Sequence, residues 1–275
     1  MRKTWSAYPY IFWIIIFTVV PLALVLYFSF TVKTPAGIQF TLDNFRRFSE
    51  PIYLKVLMRS ITLAAISTVL CLLLGYPAAY ILAKNKLKNK NALIMLLVLP
   101  MWMNFLLRTY AWLTLLERKG LINTILAHLG LPQLNLLYNE FAVVLGMVYN
   151  FIPFMILPIY TVLSKIDNSL LEAAEDLGSD PWHTFRRVVF PLSLPGVWSG
   201  ITMVFMPAVT TFVIPRLLGG GQYTLIGNLI EQQFLTVGDW NFGSAISTVM
   251  IVIILLGMGF TSRYEKEQEG GGGLW

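Results

Sequence analysis

The sequence has few charged residues and almost no cysteine. Only 12% of its 275 residues are charged, whereas a soluble domain usually carries about 25%. Hydrophobic residues make up 56% of the chain, and the mean hydropathy is +0.68. The single cysteine, Cys71, lies inside an apolar run, so the chain can form neither an internal disulfide nor a cysteine-based metal site. This composition excludes an ordinary soluble domain and indicates a membrane protein.

The sequence also lacks a loop for binding nucleotide phosphates. No Gly-x-x-x-x-Gly-Lys-Ser/Thr motif occurs, and the glycine run 219–221 is followed by Gln222 and Tyr223 instead of a lysine. A chain without this motif is not expected to hydrolyse ATP. We therefore predict that the protein is not an enzyme, that it carries no cofactor, and that any ATP hydrolysis it depends on belongs to a different subunit.

Several apolar runs are long enough to cross a bilayer. A hydrocarbon core about 30 Å thick requires about 20 mostly apolar residues per helix. The runs predict helices near 10–32, 60–83, 92–116, 141–163, 196–218 and 244–262. We therefore expect an all-α integral membrane protein with six transmembrane helices. The segment 264–275 is charged and then glycine-rich, a composition typical of a disordered tail.

Positive charges predict the orientation of these spans. The loop between the second and third spans contains four lysines and no acidic residue: Lys84, Lys86, Lys88 and Lys90. Such loops normally face the cytoplasm, so both termini are expected there as well. Three loops are then predicted to lie outside, near 33–59, 117–140 and 217–243. The net charge of +6 is explained by cytoplasmic loops, and no nucleic-acid partner is expected.

The two histidines and one arginine argue against a metal site and against an ion-coupled carrier. His128 and His183 fall in loops on opposite sides of the membrane in this topology, so they cannot share a metal ion. Arg108 is the only strongly intramembrane charge, and it is expected in the outer half as an anchor or a neighbour of a gate. Ion-coupled carriers usually bury ionisable groups at mid-membrane. A stand-alone channel or an ion-coupled carrier therefore stays as an alternative only.

The longest cytoplasmic loop, 164–195, carries signals for a first short helix. Asn168 or Ser169 can cap a helix over 170–177. Gly178 can end that helix in the left-handed conformation, which glycine adopts without steric cost. The pattern predicts a sharp corner at Gly178.

A second short helix is predicted immediately after the corner. Ser179 or Asp180 can cap it, and Pro181 suits its first position. Pro191 and Pro195 are expected to end it. Its apolar stripe is Trp182, Phe185, Val188 and Val189. Two helices that meet at a corner and carry such a stripe are suited to fit a groove on a partner.

This loop resembles the EAA loop of binding-protein-dependent ABC permeases. The residues that carry the resemblance are Glu172, Ala173, Ala174, Gly178, Phe185, Val188, Pro191 and Pro195. The resemblance implies a type I ABC importer (MetI-like) permease fold, with a permease domain over 1–263. It also implies that the loop docks into an ATPase subunit and transmits its closure to the spans. The implied coupling residues are Glu172, Ala173, Ala174, Gly178, Phe185, Val188 and Pro191.

The same resemblance implies a set of partners and a location. They are a homologous second permease subunit, two cytoplasmic ATPase subunits and an external solute-binding protein. The chain itself would be a multi-pass protein of the lipid bilayer in the bacterial inner membrane.

Segments outside the loop resemble the spermidine/putrescine permeases over about residues 10–262. The segments 75–80, 100–112 and 137–153 carry this resemblance, and the Arg-Thr-Tyr-Ala-Trp stretch from Arg108 to Trp112 is its most specific part. It implies import of a small polyamine cation. Another small cation, an amino acid or a metal chelate stays as an alternative cargo.

A polyamine requires carboxylates, carbonyl groups or aromatic faces along its path. Side chains of these kinds lie near the outer helix ends or within the spans. The candidate pathway residues are Trp102, Asn104, Tyr110, Tyr149, Asn150, Tyr223, Glu231, Asp239 and Trp240. Tryptophan and tyrosine also serve as anchors at membrane interfaces, so each ring has this second interpretation.

Overall fold

A computed structural model of the protein describes residues 8–35, 37–84 and 89–269. The first span runs from α1 (Tyr8–Ile14) through a π-helical turn (Ile15–Val19) into α2 (Val20–Ser29). A small antiparallel hairpin, which begins within the last two residues of the first predicted span, departs from the all-α expectation. Its strands are β1 (Thr31–Thr34) and β2 (Gly37–Phe40), and Thr31 pairs with Phe40. The short helix α3 (Asp43–Phe48) follows.

The second and third spans differ from the predicted boundaries. Helix α4 (Pro51–Lys84) begins well before the predicted start at 60. The expected helix near 92–116 is divided into α5 (Lys90–Trp102) and α6 (Phe105–Leu116), which are followed by α7 (Leu121–His128). The axis bends by 94° at the break. A proline at 100 and a capping Asn104 explain the interruption, since each ends regular helical hydrogen bonding.

The centre of the chain holds the fourth span, the cytoplasmic loop and the fifth span. Helix α8 (Glu140–Leu163) is the fourth span. The loop forms α9 (Asn168–Asp176) and α10 (Pro181–Thr184). A π-helical turn (Phe185–Val189) then leads directly into α11 (Phe190–Thr210).

The last third of the chain contains two short helices and the final span. After α11, the chain breaks and resumes as α12 (Val213–Leu218), so the predicted helix over 196–218 is not continuous. Helix α13 (Ile226–Gln232) passes into a π-helical turn (Gln233–Val237), and α14 (Trp240–Glu269) is the last span. The end of α14 lies beyond the predicted boundary at 262 and runs into the expected tail.

The count of spans depends on how the bent pair is treated. In the described part of the chain, five helices are long and apolar enough to cross a membrane, and the bent pair α5/α6 makes six if it forms one span. The architecture is therefore the expected helical membrane fold. Lys86 and Lys88, which are part of the evidence for its orientation, lie outside the described residues, as do residues 270–275 of the expected tail.

Helix α8 is the central element of the packing. Its side chains Met147, Met155 and Ile159 are completely buried. Glycines on two neighbours allow close approach: a Cβ on Gly75 of α4 would lie 3.1 Å from Met155 Cγ. A Cβ on Gly196 of α11 would lie 2.9 Å from the Pro158 carbonyl oxygen. Small residues at such crossings let membrane helices pack through their backbones.

Asparagines tie the C-terminal end of the first span to the rest of the fold. Asn44 of α3 donates from Nδ2 to the carbonyl oxygens of Ser29 and Thr31, each at 3.1 Å. Asn241 of α14 donates to the carbonyl oxygens of Phe28 and Thr31 at 3.1 and 2.7 Å. These bonds satisfy the carbonyl groups of Phe28 and Ser29, which the end of α2 leaves without helical partners, and that of Thr31 at the start of β1.

Candidate functional site

The first helix of the 164–195 loop begins two residues earlier than predicted. Its cap is Asp167, whose Oδ1 accepts from the backbone N–H of Ser169 at 3.0 Å. This hydrogen bond to the charged carboxylate lowers the pKa of Asp167. Asn168 and Ser169, the predicted caps, are instead the first residues of α9.

The corner at Gly178 has the predicted geometry. Gly178 has a φ of +81°. Its N–H donates to the Glu175 carbonyl at 2.8 Å, and the N–H of Ser179 donates to the Ala174 carbonyl at 3.0 Å. These two bonds form a Schellman motif, which ends a helix with a left-handed residue. No atom lies within 4 Å of a Cβ built on Gly178, so the subunit itself leaves open space there.

The second loop helix starts at the predicted cap. Asp180 accepts from the backbone N–H of His183 at 2.7 Å, and its other oxygen lies 2.9 Å from His183 Nδ1. The backbone N–H of His183 is the main cause of a lowered pKa of Asp180. Pro181 occupies the first helical position. His183 therefore serves the cap.

The predicted end of this helix is wrong. Pro191 and Pro195 do not terminate it, because Pro181–Thr210 forms one helical rod of 30 residues. At the π-helical turn the N–H of Phe190 donates to the Phe185 carbonyl. This wider turn offers a way to accommodate a proline, which lacks an N–H and clashes with the preceding helical turn. The second loop helix and the fifth span are thus one element.

Phe185 faces the protein's own second span. Its ring packs edge-on against Tyr76 and Tyr80 of α4, with centroid distances of 5.9 and 5.7 Å. The Tyr76 hydroxyl lies 2.8 Å from Ser193 Oγ in α11. Val189 is buried as well, so only part of the predicted apolar stripe is open to a partner. Phe185 instead links the loop to α4.

The remaining coupling candidates are all at least partly exposed. Glu172, Ala173, Gly178 and Pro191 are exposed, and Ala174 and Val188 are half-buried. Two further apolar side chains of the loop are exposed as well: Leu177 is 89% exposed and Trp182 is 66% exposed. The sequence analysis did not select Leu177, although a leucine directly before a helix-ending glycine on a polar loop was a usable signal. Exposed apolar side chains grouped on one surface mark an interaction site.

The candidate pathway aromatics do not converge on one pocket. Trp102 and Trp240 are largely exposed. Tyr149 contacts Trp112 of α6 with ring centroids 5.3 Å apart. Tyr223 lies under the guanidinium of Arg59 at 5.5 Å from its ring centroid. Tyr110 is exposed on α6.

The polar candidates within the spans have local structural partners. Asn104 caps α6, since its Oδ1 accepts from the Leu106 N–H at 2.8 Å. Asn150 is buried and donates to the Gly146 carbonyl at 2.9 Å, while its Oδ1 has no hydrogen-bond partner among the described residues. Arg108 is also buried, and its Nε lacks a partner within the described part of the chain. Its side chain is therefore far less solvated than an interfacial anchor would be.

Both candidate acids are paired with arginines. Glu231 of α13 accepts from Arg216 of α12 at 2.7 Å. Asp239 accepts from Arg47 of α3 at 2.8 Å, and it also caps α14 through the Phe242 N–H at 3.0 Å. In this structure neither carboxylate is free for a cationic ligand.

Comparison with known proteins identifies the family. The profile of the binding-protein-dependent transport system inner membrane component matches residues 2–267. The chain belongs to this family. It is therefore a multi-pass permease of the inner membrane rather than an enzyme.

Several curated relatives resemble this permease over most of its length. The spermidine/putrescine transport system permease protein PotB of Haemophilus influenzae is 39% identical over 249 residues, which cover 89% of this chain and 87% of the relative. PotB of Escherichia coli is 39% identical over 247 residues, covering 88% and 90%. The inner membrane ABC transporter permease protein YdcU of Escherichia coli is 32% identical over 239 residues, covering 82% and 76%.

Solved structures share the fold of the permease. A bacterial ABC transporter that imports the acidic polysaccharide alginate matches with a TM-score of 0.79 at 18% identity and covers 94% of both chains. The MetNI methionine ABC transporter matches with a TM-score of 0.58 at 14% identity, covering 80% of this chain and 98% of the other. These matches confirm the MetI-like architecture that the loop motif implied.

Proposed function

We propose that this permease is one half of the membrane pathway of an ATP-driven polyamine importer. The observation that supports a polyamine cargo is the 39% identity to spermidine/putrescine permeases over 247 to 249 residues. The aligned region covers 88–89% of this chain, so the similarity extends well beyond the loop motif.

The cytoplasmic corner supports a docking role toward an ATPase subunit. The exposed residues Glu172, Ala173 and Gly178 would enter a cleft of that subunit, with Leu177 and Trp182 supplying apolar contacts. Because α10 and α11 are parts of one rod, displacement at the corner would move the fifth span directly. Phe185 would pass part of the same displacement to α4 through its contacts with Tyr76 and Tyr80.

The proposed assembly contains a second permease, two ATPase subunits and an external solute-binding protein. The alginate importer, which shares the fold, has been solved with its ligand-bound periplasmic protein, and this complex supports a solute-binding partner here. The termini and residues 164–195 would be cytoplasmic. Glu231, Asp239 and the outer aromatics would then be on the side where cargo arrives.

Uptake by a reconstituted transporter tests this proposal. Vesicles that contain both permeases and the ATPase are supplied with the solute-binding protein. They should import radiolabelled spermidine or putrescine only when ATP is present on the side of the membrane that carries the ATPase subunits. Unlabelled polyamines should compete, whereas amino acids and metal chelates should not. Transport by this chain alone, without the ATPase, would contradict the role and favour a channel or carrier.

A further inference from the structure

The Arg216–Glu231 pair consists of a fixed carboxylate and a movable cation. Glu231 is 18% exposed, whereas Arg216 is 65% exposed. The carboxylate is therefore held by surrounding atoms, and the guanidinium reaches it on a long, mostly solvated side chain. Ion pairs with so exposed a member are weak, so another cation can replace the guanidinium.

Glu231 lies near the break in the chain that follows the fifth span. The chain breaks between α11 and α12, and Asn228 of α13 donates from Nδ2 to the Phe212 carbonyl at that break, at 2.6 Å. Glu231 follows Asn228 by three residues on the same helix face. Backbone groups that are freed where a helix ends require polar partners, so polar side chains gather at this break.

The second outer ion pair has a different construction. Arg47 pairs with Asp239 and also lies 4.0 Å over the ring of Phe242. Asp239 is at the same time the cap of α14. In contrast, Arg216 makes a single side-chain hydrogen bond among the described residues, to Glu231. The Arg47–Asp239 pair is fastened by several contacts, whereas the Arg216–Glu231 pair can open without disturbing a helix end.

We infer that Glu231 is an ammonium-binding site and that Arg216 occupies it until a polyamine arrives. The inference rests on the proposed function, because it takes the cargo to be a polyamine. A guanidinium and a primary ammonium both donate charged hydrogen bonds to a carboxylate, so Oε1 of Glu231 suits either. The exchange keeps the mostly buried carboxylate paired at every stage. Arg216 thereby weakens cargo binding and helps the cargo to leave.

Direct binding measurements test this exchange. The purified complex of both permeases with the ATPase, without solute-binding protein, is dialysed against radiolabelled spermidine to obtain its Kd. Arg216→Met should lower the Kd by about two- to five-fold, the range expected when a weak competing ion pair is removed. Glu231→Gln should raise the Kd. Arg216→Lys retains the competing charge, so its Kd should be near that of the wild type.

Arg47→Met is the matched control because it removes the same charge from the other pair. It frees only Oδ2 of Asp239, whose Oδ1 stays engaged as the α14 cap, so it should tighten spermidine binding less than Arg216→Met does. If Arg216→Met and Glu231→Gln shift the Kd in the same direction, or neither shifts it, the pair is structural and the inference is overturned. Absence of saturable binding at millimolar spermidine in every variant also overturns it. Wild-type uptake, measured in parallel, separates these outcomes from failure of the proposed cargo.

Discussion

At the scale of single residues, two glycines share one backbone conformation in different settings. Gly178 ends α9 with a φ of +81°, and Gly130 ends α7 with a φ of +72°. Both sit in a pair of helix-ending hydrogen bonds, and both have open space where a Cβ would be. Only Gly178 belongs to the proposed docking surface. Substitutions at the two positions therefore distinguish the energetic cost of a strained backbone from a loss of coupling to the ATPase.

Gly178→Ala should uncouple ATP hydrolysis from uptake while leaving the protein inserted. A non-glycine residue in the left-handed conformation costs about 1 kcal/mol, which reduces the population of the correct corner by about five-fold. The measurement is the ratio of spermidine uptake to ATP hydrolysis in vesicles. Gly130→Ala, with the same backbone cost in a predicted outer loop, should keep the wild-type ratio. Equal effects of the two variants would contradict the role of the corner.

Individual residues also show the limit of reading this loop from sequence. Gly178 and Asp180 were predictable because their conformations are encoded within four residues of chain. The environment of Phe185 was not, because its partners Tyr76 and Tyr80 lie about a hundred positions earlier. Nor could the sequence reveal the arginine partners of Glu231 and Asp239, since such pairs form only after distant helices pack.

At the scale of helices, α11 crosses α8 on two glycines spaced one turn apart. A Cβ on Gly196 would meet backbone atoms, at 2.9 Å from the Pro158 oxygen and 3.0 Å from the Ile159 Cα. A Cβ on Gly200 would first meet the flexible Met155 side chain, at 2.7 Å from its sulfur. The sequence analysis missed this crossing, although two glycines four residues apart in an apolar run are a known signal for helix packing.

Gly196→Ala should destabilise the subunit more than Gly200→Ala. Backbone atoms cannot move aside without shifting a helix, and overpacking of this kind costs about 1–3 kcal/mol. A methionine side chain can change rotamer, so Gly200→Ala should cost less. Thermal unfolding of the two variants in the same detergent gives the comparison. A larger loss for Gly200→Ala would show that the crossing does not depend on backbone contact at Gly196.

Helix positions followed apolar length well, whereas helix ends and breaks did not. The run near 141–163 coincides with α8 almost residue for residue. In contrast, the amphipathic start of α4 and the interruptions at 103–104 and 211–212 depend on caps and tertiary contacts. The prolines at 191 and 195 were a misleading signal for a helix end, because the helix continues through them after a π-helical turn. Hydropathy measures burial in lipid and contains little information about such turns.

At the scale of the whole molecule, the orientation in the membrane can be tested by cysteine labelling. Cys71 is the single cysteine and is completely buried, so it should react poorly with water-soluble reagents. Leu177 and Leu129 are 89% and 69% exposed, in loops predicted on opposite sides. These positions are suited to introduced labels.

An impermeant maleimide should label Leu129→Cys on intact cells or spheroplasts, and Leu177→Cys only after the membrane is opened. Co-expression of the ATPase should then protect Leu177→Cys, because this side chain lies on the proposed docking surface. Leu129→Cys is the control for protection, since no ATPase contact is expected there. The reverse labelling pattern would invert the orientation that the lysine-rich loop predicts.

The first span has a consequence for how the transporter is made. Residues Pro9–Ser29 form a helix of 21 residues with none of its most apolar window buried; α2 packs on α14, and asparagine bonds hold its C-terminal end. In water such a helix would drive aggregation, but lipid tails are as apolar as leucine and impose no comparable penalty. A newly synthesised copy can therefore remain in the bilayer before it meets its partner subunits. The rate at which complete transporters appear is then set by encounters between subunits in the plane of the membrane, and the supply of each subunit need not be synchronised.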